Sequence, residues 1–168
     1  VGWWFGFGHF MTGLYWFGHA MLTDPERFAW LVAPTILGAS ATLAVFPAMA
    51  ALAARLAAPR VPRVLMLALA WVAAEWLRSN LFTGFPWNLI GTAWTVSDAM
   101  IQSVAMTGTL GLGLVTVTLA ALPATLADNG AGERLRWTPT VLGIALLALM
   151  WGGGALRLGA AESTRLDS

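Results

Sequence analysis

Four windows of this chain, residues 1–23, 28–54, 99–127 and 137–156, contain no Asp, Glu, Lys or Arg, and a fifth, 64–81, contains only Glu75 and Arg78. A water-soluble fold has few places for even one such run. Soluble domains are about a quarter charged, whereas this chain is 10% charged and 58% hydrophobic. About 20 residues rising 1.5 Å each cross a hydrocarbon core. In lipid the backbone must satisfy its own hydrogen bonds, which leaves helices as the solution for segments of this length. The windows therefore predict an all-α, polytopic membrane helix bundle of about five transmembrane helices, at residues 2–22, 28–56, 61–80, 99–122 and 138–156. Ten tryptophans agree with this, since Trp favours the headgroup interface.

The same residue usage excludes several chemistries. The chain has no Cys, so a disulfide, a thiolate zinc site and a cysteine nucleophile are all impossible within it. It has no Lys, a net charge of +1 and no basic stripe, so it offers nothing to a nucleic-acid backbone. His9 and His19 are too far apart for the i, i+4 spacing of a helical metal pair, and they read as buried or interfacial histidines bonded to a carbonyl or water. No metal site and no cofactor is expected.

Local signals place the helix ends. Gly2 and Gly6 form a small-xxx-small pair for close helix approach. Asp24-Pro25-Glu26 predicts a capped helix start, and Pro34 and Pro47 predict kinks in the second span. Asp98 is expected to cap the fourth helix, on which Ala105, Thr109 and Gly113 form a small-residue face. Thr138-Pro139 is expected to open the fifth, ending near Gly152-Gly153-Gly154. Val1 begins inside an apolar segment and residues 159–168 turn polar, so the sequence reads as a piece of a longer polypeptide, with a transmembrane domain over 1–158.

Arginines orient the bundle. Arg55, Arg60 and Arg63 fall between the second and third helices, and Arg134 and Arg136 between the fourth and fifth. The positive-inside rule makes that face cytoplasmic. The end of the third helix and the C-terminus then face outward.

That outward end carries the most informative stretch, Glu75-Trp-Leu-Arg78 followed by Leu81-Phe-Thr83-Gly84-Phe85-Pro86-Trp87-Asn88. An ionisable residue at the bilayer centre costs roughly 2.5 to 3.5 kcal/mol on insertion scales, so it persists where something uses it. Two readings stand. In one, Glu75 and Arg78 at i, i+3 neutralise each other, Gly84 and Pro86 form a turn and Trp87 anchors at the interface. In the other, Arg78 meets a lipid phosphate, Thr83 and Asn88 add hydrogen bonds, and Phe85 and Trp87 hold the acyl or glycerol part. The apolar connection from Leu81 to Ser97 is expected to lie in the membrane interface, folded back over the bundle.

This stretch resembles the membrane-domain motif of apolipoprotein N-acyltransferases. The opening Gly2-Trp-Trp-Phe-Gly6-Phe-Gly8-His-Phe with Gly13-Leu-Tyr-Trp16 is similar to that family's third transmembrane segment, and the resemblance runs over roughly its third to seventh helices. It implies a bacterial inner-membrane enzyme with a periplasmic nitrilase-like domain. Such an enzyme moves an acyl chain from phosphatidylethanolamine to the N-terminal cysteine amine of an apolipoprotein, through a thioester on a catalytic Cys aided by a Glu and a Lys. With neither Cys nor Lys here, no catalytic residue carries over, and Glu75 is a membrane-domain residue. The expected partners are thus the phospholipid acyl donor, the apolipoprotein and the nitrilase-like domain, and the chain alone is expected to be inactive. A small transporter or channel is the competing class, but the ionisable residues do not string across the membrane; a scaffold with no activity is the third.

Overall fold

The computed structural model describes residues 1–81, 84–127 and 133–166, with the side chains of 133–135 and 162–166 left aside. Every regular element among them is helical: α1 (Gly2–Gly13), α2 (Phe17–Met21), α3 (Pro25–Phe28), α4 (Val32–Leu43), α5 (Val45–Ala54), α6 (Val61–Asn80), α7 (Asp98–Ile101), α8 (Val104–Ala121) and α9 (Glu133–Leu166), with 3-10 turns at Ala29–Leu31, Ile90–Val96 and Leu122–Ala127. Three stretches are long and apolar enough to cross a membrane, Pro25–Ala54, Val104–Ala127 and Arg136–Ala161. Of the other two expected spans, the first is interrupted between α1 and α2, and the second, α6, runs 20 residues as expected and carries Arg63, Glu75 and Arg78.

Proline chemistry explains the breaks. Pro34 and Pro47 each stand third in their helices, α4 and α5, where a backbone N–H has no intrahelical partner to lose. The second span therefore restarts at each proline. Gly108, at φ 67° and ψ 171°, interrupts α8 in a conformation that a side chain would oppose.

Several expected ends move. Asp24 stands at the N-cap of α3 without a side-chain cap bond, and Ser97, not Asp98, caps α7 by accepting from the Met100 N–H. Thr138-Pro139 does not open the last helix; α9 starts at Glu133 and carries Pro139 inside it. Gly152–Gly154 do not end it either. A Cβ at Gly154 would fall on the Ala99 carbonyl, so this glycine serves contact with α7 rather than termination, and α9 continues through the expected polar tail to Leu166.

α1 packs on α4 and α5, α5 on α6, α6 on α8, and α7 on α9. The Gly2/Gly6 pair does what its spacing predicts: an added Cβ at Gly6 would lie 2.8 Å from Pro47, and one at Gly2 would lie 2.5 Å from Ala51. Ala50, Ala68, Trp71 and Val117 form the buried centre, with Ile90 and Leu114 against it. Small residues let these helices approach closely, and Trp71 fills the centre.

Candidate functional site

α6 ends where the sequence places its charged pair. Leu81 is the C-cap in extended backbone, and Gly84, at φ 79°, turns the chain back so that the Phe85 N–H reaches the Arg78 carbonyl (3.0 Å). A side chain at Gly84 would meet the Ser79 carbonyl at 2.5 Å, so this turn requires glycine.

Glu75 and Arg78 are 5% and 3% exposed. They do not neutralise each other by contact: among the described residues no ion pair joins them, and each side chain reaches into the returning loop instead. Glu75 Oε1 accepts from the Ile90 N–H (2.7 Å) and from Trp71 Nε1 (3.1 Å). Arg78 Nη1 donates to the Phe85 carbonyl (2.7 Å) and the Trp87 carbonyl (2.6 Å). The guanidinium also lies 5.2 Å from the Phe10 ring centre and 5.7 Å from that of Phe85. Two opposite charges thus staple the two sides of one loop. The reason is local: a half-buried loop outside any helix leaves carbonyls and N–H groups that need partners, and a helix-borne acid and base supply one of each.

The staple holds Arg78 inside the bundle through Nη1, and its Nη2 is buried without a hydrogen-bond partner. What faces out is aromatic. Pro86 is exposed, and Trp87 is 55% exposed, edge-on to Trp16 at 5.7 Å. Phe85 is half-buried and edge-on to Phe17 at 6.2 Å. Asn88 takes a left-handed backbone, φ 55°, which Asn tolerates better than most residues. Its carbonyl accepts from His9 Nε2 (3.4 Å), as expected of a buried histidine, and its side chain presses against Gly13. Thr83 lies outside the described residues. The structure therefore brings together Glu75, Arg78, Phe85, Trp87 and Asn88 around the turn at Gly84 and Pro86.

Sequence reasoning missed Trp71, the Ile90 N–H, His9 and Phe10 as parts of this site. Trp71 was visible, four residues before Glu75 on the same helix face. The α1 residues had no local signal, since His9 and Asn88 are 79 positions apart. Beyond the loop, Gly91 sits on the small-residue face of α8, where an added Cβ would be 2.6 Å from the Thr109 carbonyl, and Trp94 Nε1 donates to Thr116 Oγ1 (2.8 Å). An apolar groove of about 840 Å³ opens below, between Phe5, Pro47, Leu67, Trp71, Ile90 and Val117. No cluster of three His, Cys, Asp or Glu that could hold a metal occurs among the described residues. The arrangement presents an aromatic surface and a groove.

The family model described as the apolipoprotein N-acyltransferase N-terminal domain matches residues 1–122. The chain belongs to this family. It is 44% identical over 169 residues to an apolipoprotein N-acyltransferase of Rhodopseudomonas palustris, covering 100% of this chain and 32% of that protein. It is 48% identical over 130 residues to one of Brucella suis, covering 77% of this chain and 24% of the relative. With one of Allorhizobium ampelinum the identity is 39% over 167 residues, covering 96% and 30%. The chain spans about a third or less of the length of these relatives. No solved structure matches it.

Proposed function

We propose that this chain is the membrane part of an enzyme that transfers an acyl chain from phosphatidylethanolamine to the N-terminal cysteine amine of bacterial lipoproteins. In this reading it contributes lipid contact and anchoring, while the chemistry belongs to a nitrilase-like domain elsewhere in the polypeptide. Family membership supports the reaction. The absence of any Cys or Lys from the sequence supports the division of labour, because a thioester needs a thiol.

The observation that carries the reading is the internal staple. Glu75 through Oε1 and Arg78 through Nη1 hold the 85–90 loop, while Glu75 Oε2 and Arg78 Nη2 are buried without a hydrogen-bond partner, and Trp87 lies beside Trp16 as an aromatic surface. Such a surface suits the headgroup level of a bilayer, where an aromatic ring meets both apolar chains and polar headgroups. In this reading α1 with α2 and α6 also cross the membrane, giving five spans in the bacterial inner membrane. The five-arginine face lies in the cytoplasm; the 85–90 loop lies in the periplasmic interface with the C-terminus on the same side. Lipid is held by Phe85, Trp87 and the groove below them.

The test is acyl transfer by the full-length protein, reconstituted with phosphatidylethanolamine and a lipopeptide acceptor. Trp87→Ala is expected to slow transfer at unchanged protein level. Unchanged kinetics in that variant would remove the loop from the site, and N-acylated product formed by residues 1–168 alone would overturn the division of labour.

A further inference from the structure

At the other end of α6, the turn after α5 meets the start of α9 across a cavity of about 440 Å³. Pro59, Arg60 and Pro62 form one side of it, and Thr125, Arg136 and Pro139 the other. We propose that this cavity binds a phosphate group, carried by a phospholipid headgroup or free in solution.

Arg60 and Arg136, from distant parts of the chain, both line one concavity, and like charges brought together disfavour the fold unless an anion lies between them. Arg60 has no acidic partner among the described residues, and its backbone is held at φ 71°, which is unfavourable for a residue with a long side chain. Strain of this kind collects where a residue is needed for more than folding. Arg136 donates from Nη2 to the Leu126 carbonyl, which fixes its fork against the wall. A fixed planar fork is the group best matched to phosphate oxygens. Three prolines make the walls stiff, so little ordering remains to be done on binding. The N-terminal end of the 20-residue α6 adds partial positive charge on the same side.

Arg63 separates this site from general basicity. It lies three residues after Arg60, in the first turn of α6, but does not line the cavity, and its Nη2 donates to the Ala57 carbonyl (3.5 Å).

The experiment is native mass spectrometry of the full-length protein in detergent with phosphatidic acid or diacylglycerol, which differ only in the phosphate. Phosphatidic acid is expected to remain bound at one copy per chain under conditions that strip diacylglycerol; equal retention of the two overturns the proposal without any variant. Arg60→Asn removes the charge, and it is expected to weaken retention about tenfold. Arg63→Gln is expected to leave retention unchanged. Full retention by Arg60→Asn, or equal loss in Arg63→Gln, also overturns the proposal. Millimolar inorganic phosphate separates the sources. Displacement of phosphatidic acid by phosphate alone marks a site open to the free ion, and retention in its presence marks a headgroup site.

Discussion

The loop after α6 and the long helix α9 handle polarity in opposite ways. Around the loop, a carboxylate and a guanidinium are buried and aromatic rings face outward. Along α9 no charged side chain among the described ones is fully buried, and the large apolar side chains Leu142, Ile144, Leu149, Trp151 and Leu156 are exposed, Leu149 at 73%. A protein in water could support neither pattern at this scale. In lipid both follow from one cause: hydrocarbon accepts Leu at no cost and leaves every buried polar group to find its partner in the protein. What is inside at the loop holds the backbone through Glu75 Oε1 and Arg78 Nη1. What is outside on α9 is there to be solvated by lipid.

Breaking the loop side of this contrast should have the largest effect. Arg78→Ala strands the Phe85 and Trp87 carbonyls and leaves Glu75 without a nearby cation, so a loss of about 3–5 kcal/mol is expected. It should appear as collapse of the thermal midpoint and yield in detergent, with Arg78→Lys recovering only part. Next comes Gly91→Val, which drives a side chain against the Thr109 carbonyl; about 1–3 kcal/mol should be lost, read by the same melting assay. Glu75→Gln keeps an oxygen for the Ile90 N–H and the Trp71 ring, so its penalty should be nearer 1 kcal/mol. A Glu75→Gln variant as damaged as Arg78→Ala would mean that the charge, and not the loop bond, is what the fold requires. The smallest effect belongs to α9. Leu149→Ala removes no protein contact of consequence and should shift the midpoint by no more than about 0.5 kcal/mol equivalent. A large shift there would show α9 packed on protein at that face.

The sequence made the helices, their apolar character and the charged pair legible, because charge-free windows and an i, i+3 acid–base spacing are local signals. Val61–Asn80 came out at its expected limits since Pro62 opens it and the Gly84 turn follows it. What the residues did with each other was not legible. Glu75 and Arg78 looked like partners because they are neighbours in sequence, yet the backbone of the next loop competes for both and forms a hydrogen bond with each. Glycine was ambiguous for the same reason: Gly152–Gly154 read as a stop, whereas Gly154 is required by a backbone atom of another helix. Pro139 likewise reads as a start, and only the turns built ahead of it from Glu133 show otherwise. Such choices rest on contacts between segments, which spacing within one segment does not encode.

The contact between Gly154 and Ala99 also constrains how α9 sits in its surroundings. From Arg136 to Arg157 the helix rises about 31 Å, close to the roughly 30 Å of a hydrocarbon core. Arg136 and Arg157 are therefore spaced to bracket an oily layer like marks on a gauge. A helix cannot slide along its axis without also unscrewing, and one residue of slip would swing Gly154 away from Ala99, whose carbonyl demands a glycine there. Depth and rotation are locked together by a missing methyl group.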